Sequence, residues 1–126
     1  MFGVFKSKAS KPVSSLFRMS VKVGRGSNAD MPASLAGAFV PVYAAAANHE
    51  DATRKGVSKL VSQGFEFLDL QGPIHQLDAA QWSDYVAKAW PEFASSLPNQ
   101  AEVLAGLNGD LVFFGPFAGY EPSREG

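Results

Sequence analysis

The 126-residue sequence contains no cysteine and only two histidines. The absence of cysteine excludes disulfides, zinc–thiolate centres and thiol nucleophiles, and it is typical of proteins from a reducing compartment. With two histidines, one chain cannot supply a three-histidine metal site. We therefore expect a cytoplasmic protein that holds no metal and no cofactor.

Long apolar runs are also missing. No segment approaches the roughly 20 consecutive apolar residues of a membrane-spanning helix, and we expect no secretory signal. Hydrophobic residues make up 46% of the composition and charged residues 18%, as in ordinary globular proteins. We expect one domain over residues 16–120, preceded by a flexible basic arm (1–15) and followed by a tail (121–126).

Charge is distributed unevenly along the chain. Residues 1–25 carry six basic side chains and no acidic one, whereas the remaining 101 residues carry five basic and twelve acidic side chains. The six cations are Lys6, Lys8, Lys11, Arg18, Lys22 and Arg25. A basic arm suggests contact with nucleic acid. However, a solvated tail together with the outer face of one strand explains the same charges, and arms that bind single strands usually interleave aromatics with many more cations.

Hydrophobic periodicity predicts four strands. Residues 17–23 alternate apolar and polar side chains, the pattern of a strand with one buried face. A second strand is expected at 39–43, at an edge or with a bulge, because Pro41 has no N–H to donate. A third strand is expected at 65–70 and a fourth at 111–114. Gly72-Pro73 breaks the third strand, which a short second piece then resumes.

Helix signals separate these strands. Asn48 predicts the start of a helix over 48–64, and Gly56 in its interior indicates that a neighbouring element packs closely there. A second helix is expected over 78–90, and a short third one after Asn99.

The resulting order, β-β-α-β-α-β with the short helix before the last strand, predicts an α+β domain. We expect a two-layer sandwich, in which two main helices cover one face of a mixed sheet of about four strands. The layers are similar to those of ferredoxin-like proteins, although the βαββαβ order of that group is not present.

His75, Asp69 and Asp78 are the candidates for acid–base chemistry. A histidine paired with a carboxylate is able to act as a general base, and all three residues are expected near one end of the sheet. The long 24–37 loop is expected beside them. Neither a nucleophile nor a third metal ligand accompanies the set, and Asp78 already caps a helix.

A binding surface is predicted from the aromatic residues near the end of the chain. These aromatics are explained by an ordinary core, since large aromatic side chains are usually buried. The alternative is an uncovered apolar sheet face, because the fifteen aromatics exceed what one layer of two helices would hide. Its predicted members are Phe113, Phe114, Phe117, Tyr120 and Trp90.

Three functions follow from these observations. The first is a non-catalytic protein-interaction domain that presents an acidic and aromatic surface to another protein or to a second copy of itself. Small accessory, regulatory and toxin-neutralising proteins of bacteria belong to this class. The alternative is a small-ligand-binding protein or small enzyme that uses His75 with Asp69 and Asp78. Nucleic-acid binding through the basic residues 6–25 is weaker, because the rest of the chain is acidic.

Overall fold

The structure is a computed structural model, and it describes residues 14–121. Residues 1–13 and 122–126 lie outside the described part, and with them Lys6, Lys8, Lys11 and most of the predicted arm and tail. The regular elements in chain order are β1 (Ser15–Gly24), β2 (Gly37–Ala46), α1 (His49–Ser62), β3 (Glu66–Leu70), β4 (His75–Leu77), α2 (Trp82–Ala89), α3 (Gln100–Gly106), β5 (Val112–Phe114) and β6 (Ala118–Tyr120). Short 3-10 helices at Ala79–Gln81 and Pro91–Ser96 precede and follow α2.

The two long strands, β1 and β2, form the middle of the sheet. They pair antiparallel from Ser15 opposite Ala46 to Gly24 opposite Gly37, without a shift in register. Every second residue over 17–23 is buried. The predicted strand is therefore confirmed, and its alternation reflects one face packed against a core.

Each outer position of the sheet is occupied by two short strands in line. β3 and β4 pair with β1, whereas β5 and β6 pair with β2. A Gly-Pro pair interrupts each outer position, Gly72-Pro73 between β3 and β4 and Gly115-Pro116 between β5 and β6. Six strands thus fill four positions, where about four strands were predicted.

The α+β class is confirmed, but the sheet differs from the mixed sheet that was expected. All strand pairs formed within residues 14–121 are antiparallel. Helix α1 connects β2 to β3, and β1 lies between those two strands. β2 and β3 consequently run parallel without pairing, because each is antiparallel to β1.

Helix α1 covers one face of the central strands, which we call the α1 face. Asn48 caps the helix, and its Oδ1 accepts a hydrogen bond of 2.8 Å from the Asp51 N–H. At Gly56 an added Cβ would lie 2.8 Å from Val42 Cγ1 and 3.5 Å from Met19 Sδ. The close packing predicted from this glycine is confirmed.

The opposite face, which we call the Tyr43 face, is covered at one end by α2, α3 and the 3-10 segments. Leu16 and Tyr43 of the sheet are buried there against Trp82, Val86 and Val103. Successive strand residues point to opposite faces, and both faces carry large apolar side chains at this end. Helices therefore lie on both faces of the sheet. The expectation that they would cover a single face is wrong.

Pro41 lies in a central strand, and the prediction that it would mark an edge or a bulge is wrong. Its pairing with Ser20 of β1 is regular. On its other side, the Pro41 carbonyl accepts a hydrogen bond of 2.8 Å from the Gly115 N–H, just beyond the end of β5. The N and O atoms of a strand residue point toward the same neighbour, so the missing N–H faces the break between β5 and β6.

The remaining helix caps are local and regular. Asn99 and Glu102 form the predicted capping box. The Asp78 carboxylate accepts a hydrogen bond from the Ala80 N–H at 3.0 Å and caps the 3-10 turn, so α2 begins later than predicted, at Trp82. No helix in residues 14–121 is long and apolar enough to cross a membrane.

Candidate functional site

The three residues predicted for acid–base chemistry do not meet. His75 lies opposite Arg18, and Asp69 lies opposite Lys22. Four residues of one strand separate these positions, which corresponds to roughly 13 Å along the sheet. Asp78 is engaged in its helix cap. In the described part of the chain, no three His, Cys, Asp or Glu residues are grouped so that they could hold a metal ion.

The five aromatic residues predicted to share one surface are divided among three places. Phe113 and Trp90 pack in the cluster on the Tyr43 face. Phe114 packs against the core of the α1 face, and its ring centroid lies 6.0 Å from that of Phe117. Tyr120 lies at the far end of β2. Of the five, Phe114 and Phe117 are brought together at a concave surface.

That concave surface is a groove on the α1 face, which we call the Phe117 groove. Its volume is about 480 Å³, within the range of small-ligand pockets of about 300–1,000 Å³. Its apolar lining includes Met31, Leu35, Ala38, Phe65, Phe114 and Phe117. Asn28, Asp30 and Gln63 supply its polar side chains. The groove thus combines apolar walls with few polar groups.

The loop between β1 and β2 forms one wall of the groove. The Asn28 side-chain amide donates to the Gln63 carbonyl at 2.7 Å. Its Oδ1 accepts hydrogen bonds from the N–H groups of Asp30 at 2.9 Å and Met31 at 3.1 Å. This loop, unusually long by sequence, is therefore fastened to the C-terminal end of α1, and Met31 is buried beneath it.

Phe117 stands on the opposite wall. Its ring centroid lies 5.4 Å from that of Phe65, a usual distance for an aromatic pair. Pro116 restricts the preceding backbone, and β6 follows immediately and pairs with β2. Phe117 is held beside the groove by these contacts, yet 42% of it remains exposed.

Tyr43 is fully buried at the centre of the Tyr43 face. Its hydroxyl accepts a hydrogen bond from Trp90 Nε1 at 2.7 Å and shares another with the Tyr85 hydroxyl at 2.8 Å. Its ring stacks on Phe113 at 5.1 Å and meets Trp82 edge-on at 5.2 Å between centroids. Burial, reinforced by the hydrogen bond with Tyr85, raises the pKa of Tyr43 well above its ordinary value. The hydroxyl therefore stays neutral to a higher pH than that of an exposed tyrosine.

Arg18 lies directly opposite Tyr43 in the neighbouring strand. Its Nε is buried and has no hydrogen-bond partner. The ion pairs formed within residues 14–121 are Arg54–Asp51 and Lys55–Asp110, so no carboxylate of this part neutralises Arg18. Sequence reasoning missed this environment, because Arg18 alternates with apolar residues and was therefore assigned to the solvated outer face of its strand.

The other two described cations of the basic stretch make contacts within the chain. Lys22 Nζ lies 5.4 Å from the centroid of the Tyr120 ring. Arg25 Nε donates to the Met31 carbonyl at 3.0 Å. The nucleic-acid alternative therefore depends mainly on the basic side chains of residues 6–11, which lie outside the described residues.

Comparison of the chain with known protein families, with curated proteins and with solved structures found no significant match. The Phe117 groove and Arg18 lie on opposite faces of the sheet.

Proposed function

We propose that this chain is a non-catalytic protein-interaction domain that binds its partner through the Phe117 groove. The observation that carries the proposal is the 42% exposure of Phe117 beside a groove with apolar walls. Large aromatic side chains are usually buried, and exposed ones beside a concave apolar surface are typical of recognition sites.

The chemistry of the groove indicates the kind of partner. A leucine- or phenylalanine-sized side chain of the partner would displace water from the walls formed by Met31, Phe65 and Phe114. Asn28 and Asp30 would remain at the polar rim. Asp30 is the single charged residue of the lining, so we expect a basic residue beside the partner's apolar anchor.

The partner is either a different protein or a second copy of this chain, and one pair of variants tests both. Phe117→Ser removes the exposed wall of the groove. Leu104→Ser is the matched control, because Leu104 is also 42% exposed but lies on α3, outside the groove lining. Wild type and both variants are compared by affinity capture and by sedimentation velocity over a range of concentrations.

We expect Leu104→Ser to bind as the wild type does and Phe117→Ser to lose at least about tenfold in affinity, since truncation of a hot-spot residue costs about 2 kcal/mol or more. Concentration-dependent sedimentation that Phe117→Ser abolishes would identify a second copy as the partner. Equal binding by all three proteins would contradict the proposal. A wild type that stays monomeric and captures no protein would contradict it as well.

A small apolar ligand is the second candidate occupant, favoured by the groove volume of about 480 Å³. The sequence predicts a small-ligand site at His75, Asp69 and Asp78, but the strand register separates His75 from Asp69. A fluorescent apolar dye whose emission rises with wild type and Leu104→Ser, but not with Phe117→Ser, would support this candidate. A His75→Ala variant is expected to bind the dye normally.

A further inference from the structure

A second apolar hollow adjoins the Phe117 groove, and we call it the Phe93 cavity. Its volume is about 330 Å³, and its walls include Phe93, Leu97 and Pro116. Phe114 and Phe117 line both hollows, so the groove and the cavity adjoin at these two rings. Phe93 is 39% exposed, nearly as much as Phe117. The surface therefore offers room for two neighbouring apolar side chains of one bound segment.

The charge of this surface favours a basic occupant. Asp30 is the single charged residue among those that line the two hollows. Glu92 directly precedes Phe93 and is exposed. Arg25 contacts the groove wall through the Met31 carbonyl, but neither carboxylate forms an ion pair within residues 14–121. A segment that carries lysines beside its apolar residues would therefore complement the surface.

The chain itself contains such a segment before the first described residue. Residues 1–13 include three lysines and no acidic side chain, and their two aromatic residues are Phe2 and Phe5. Lys6 directly follows Phe5, which matches the basic residue expected beside the apolar anchor of a groove ligand. Phe2 and Phe5 are three residues apart, a distance of at most roughly 10 Å along an extended chain. Their rings are thus able to occupy two hollows that adjoin.

The length of chain before β1 is sufficient to reach the groove. β1 begins at Ser15, opposite Ala46 of β2, and Phe117 directly precedes β6, whose first residue pairs with Phe39. Because Ala46 and Phe39 are seven residues apart in β2, Phe117 lies within roughly 25 Å of Ser15 along and across the sheet. Phe5 precedes Ser15 by ten residues, which span up to roughly 35 Å. The difference leaves length for a path around α1.

We propose that the 2–8 segment binds to the Phe117 groove of its own chain. Phe5 enters the groove with Lys6 beside Asp30, and Phe2 enters the Phe93 cavity. A tethered segment acts at an effective concentration on the order of millimolar, so weak contacts are enough to hold it. A protein partner then has to displace the segment before it binds. The displacement rests on the proposed function, whereas the docking of the segment does not.

The absence of cysteine allows one nitroxide spin label to be attached at a chosen position. Ser7→Cys places the label within the segment of the full ¹⁵N-labelled chain, and the label broadens the amide NMR signals of residues close to it. We expect broadening at Met31, Phe65 and Phe117, which is lost when ascorbate reduces the label. The amide of Val103, on the Tyr43 face, should stay sharp.

Phe5→Ser in the spin-labelled chain should cancel most of this broadening, because it removes the anchor. Sharp groove signals in a labelled chain that retains Phe5 would overturn the proposal, whether or not the variant folds. Broadening at Leu104 and Leu107 instead would place the segment in the separate cavity that Ser14 borders, which would also overturn it. Broadening in a mixture of ¹⁵N-labelled copies with spin-labelled copies would identify a second copy as the source and overturn docking within one chain.

Competition is tested with a synthetic peptide of residues 1–13 as the probe. The peptide is titrated into the ¹⁵N-labelled wild type and the Phe5→Ser variant, and the Met31 and Phe117 signals report binding. A segment that occupies about nine of ten grooves would make the wild type bind the peptide about tenfold more weakly than Phe5→Ser does. Leu104→Ser should bind it as the wild type does.

Equal peptide affinities of the wild type and Phe5→Ser, or no binding by either, would overturn the docked segment. If Phe117→Ser still loses a protein partner in that case, the proposed function stands without it. Conversely, tighter peptide binding by Phe5→Ser in a chain that captures no partner would retain the docked segment and contradict the proposed function.

Discussion

Trp90 Nε1 donates a hydrogen bond of 2.7 Å to the hydroxyl of Tyr43, which lies 47 residues earlier in the chain. Trp90 directly follows α2 and Tyr43 lies in β2, so this bond fastens the helix to the sheet. The same hydroxyl is bonded to Tyr85 of α2. One buried oxygen atom therefore orients the helical cover of the Tyr43 face.

The first prediction follows from this arrangement. Tyr43→Phe keeps the ring and its stacking on Phe113 but leaves Trp90 Nε1 without an acceptor. We expect the free energy of unfolding to fall by about 1–3 kcal/mol, the cost of an unsatisfied buried donor. Urea unfolding monitored by tryptophan fluorescence measures the change.

Tyr120→Phe is the matched control for this substitution. Tyr120 is partly exposed, and its hydroxyl makes no hydrogen bond within residues 14–121. We expect its removal to change the free energy of unfolding by no more than about 0.5 kcal/mol. Equal losses for Tyr43→Phe and Tyr120→Phe would show that the Trp90 bond does not stabilise the fold.

The second prediction concerns the contact between α1 and the sheet. Gly56→Ala would gain about 1 kcal/mol from helix propensity, but its Cβ would lie 2.8 Å from Val42 Cγ1. Because Val42 is a stiff β-branched residue in the central strand, we expect overpacking to dominate, with a net loss of about 1–2 kcal/mol. Ser58→Ala, on the exposed side of the same helix, should be neutral or slightly stabilising.

A double-mutant cycle separates the two effects at this position. In a Val42→Ala background the contact disappears, and Gly56→Ala should become stabilising. Chemical unfolding of the four proteins in the cycle gives the coupling free energy. A coupling near zero would mean that the close approach of Val42 is not what disfavours alanine at position 56.

The third prediction concerns the loop wall of the Phe117 groove. Asn28→Ala removes the side-chain bond to Gln63 and the two bonds from the loop N–H groups of Asp30 and Met31. We expect faster hydrogen exchange at these N–H groups and a global loss of about 1–2 kcal/mol. Ser34→Ala, in the same loop but exposed, should leave exchange at Met31 unchanged. Unaltered exchange in Asn28→Ala would show that the loop is held by other contacts.

Signals confined to a few neighbouring residues predicted the elements of this fold. Asn48 and Asn99 cap helices where the sequence places them, because a cap depends on residues within one turn. The alternation over 17–23 likewise reports one strand. Which face of the sheet a helix covers depends, however, on contacts between residues far apart in the chain. Leu16 lies on the same side of β1 as the polar residues, and nothing near it in the sequence indicates that helices would cover that side.

The candidate sites were predictable to different degrees. The sequence predicts Phe114 and Phe117 as surface residues because the chain has more large aromatics than two helices would bury. That they line one groove together with Met31 depends on where the distant 24–37 loop lies. Arg18 was assigned to solvent because it alternates with apolar residues. Only the three-dimensional packing of α2 over Tyr43 shows that this side chain is half-buried.

The last prediction is a pH dependence that arises from Tyr43. Burial raises the pKa of Tyr43 in the folded chain, whereas in the unfolded chain it takes its ordinary value of about 10. Between these two pKa values the unfolded state binds fewer protons than the folded state. The free energy of unfolding therefore falls as pH rises above about 10, with a slope of up to about 1.4 kcal/mol per pH unit from this residue.

Tyr43→Phe removes the titrating group and serves as the control. Below about pH 9 the wild type and the variant should differ by a constant amount, because the hydroxyl is protonated in both states of the wild type. Above pH 10 the wild type should lose stability more steeply, so the two curves converge. Urea unfolding at intervals from pH 8 to about pH 11 measures both slopes. Parallel curves across this range would mean that the folded structure does not hold the Tyr43 hydroxyl in its neutral form.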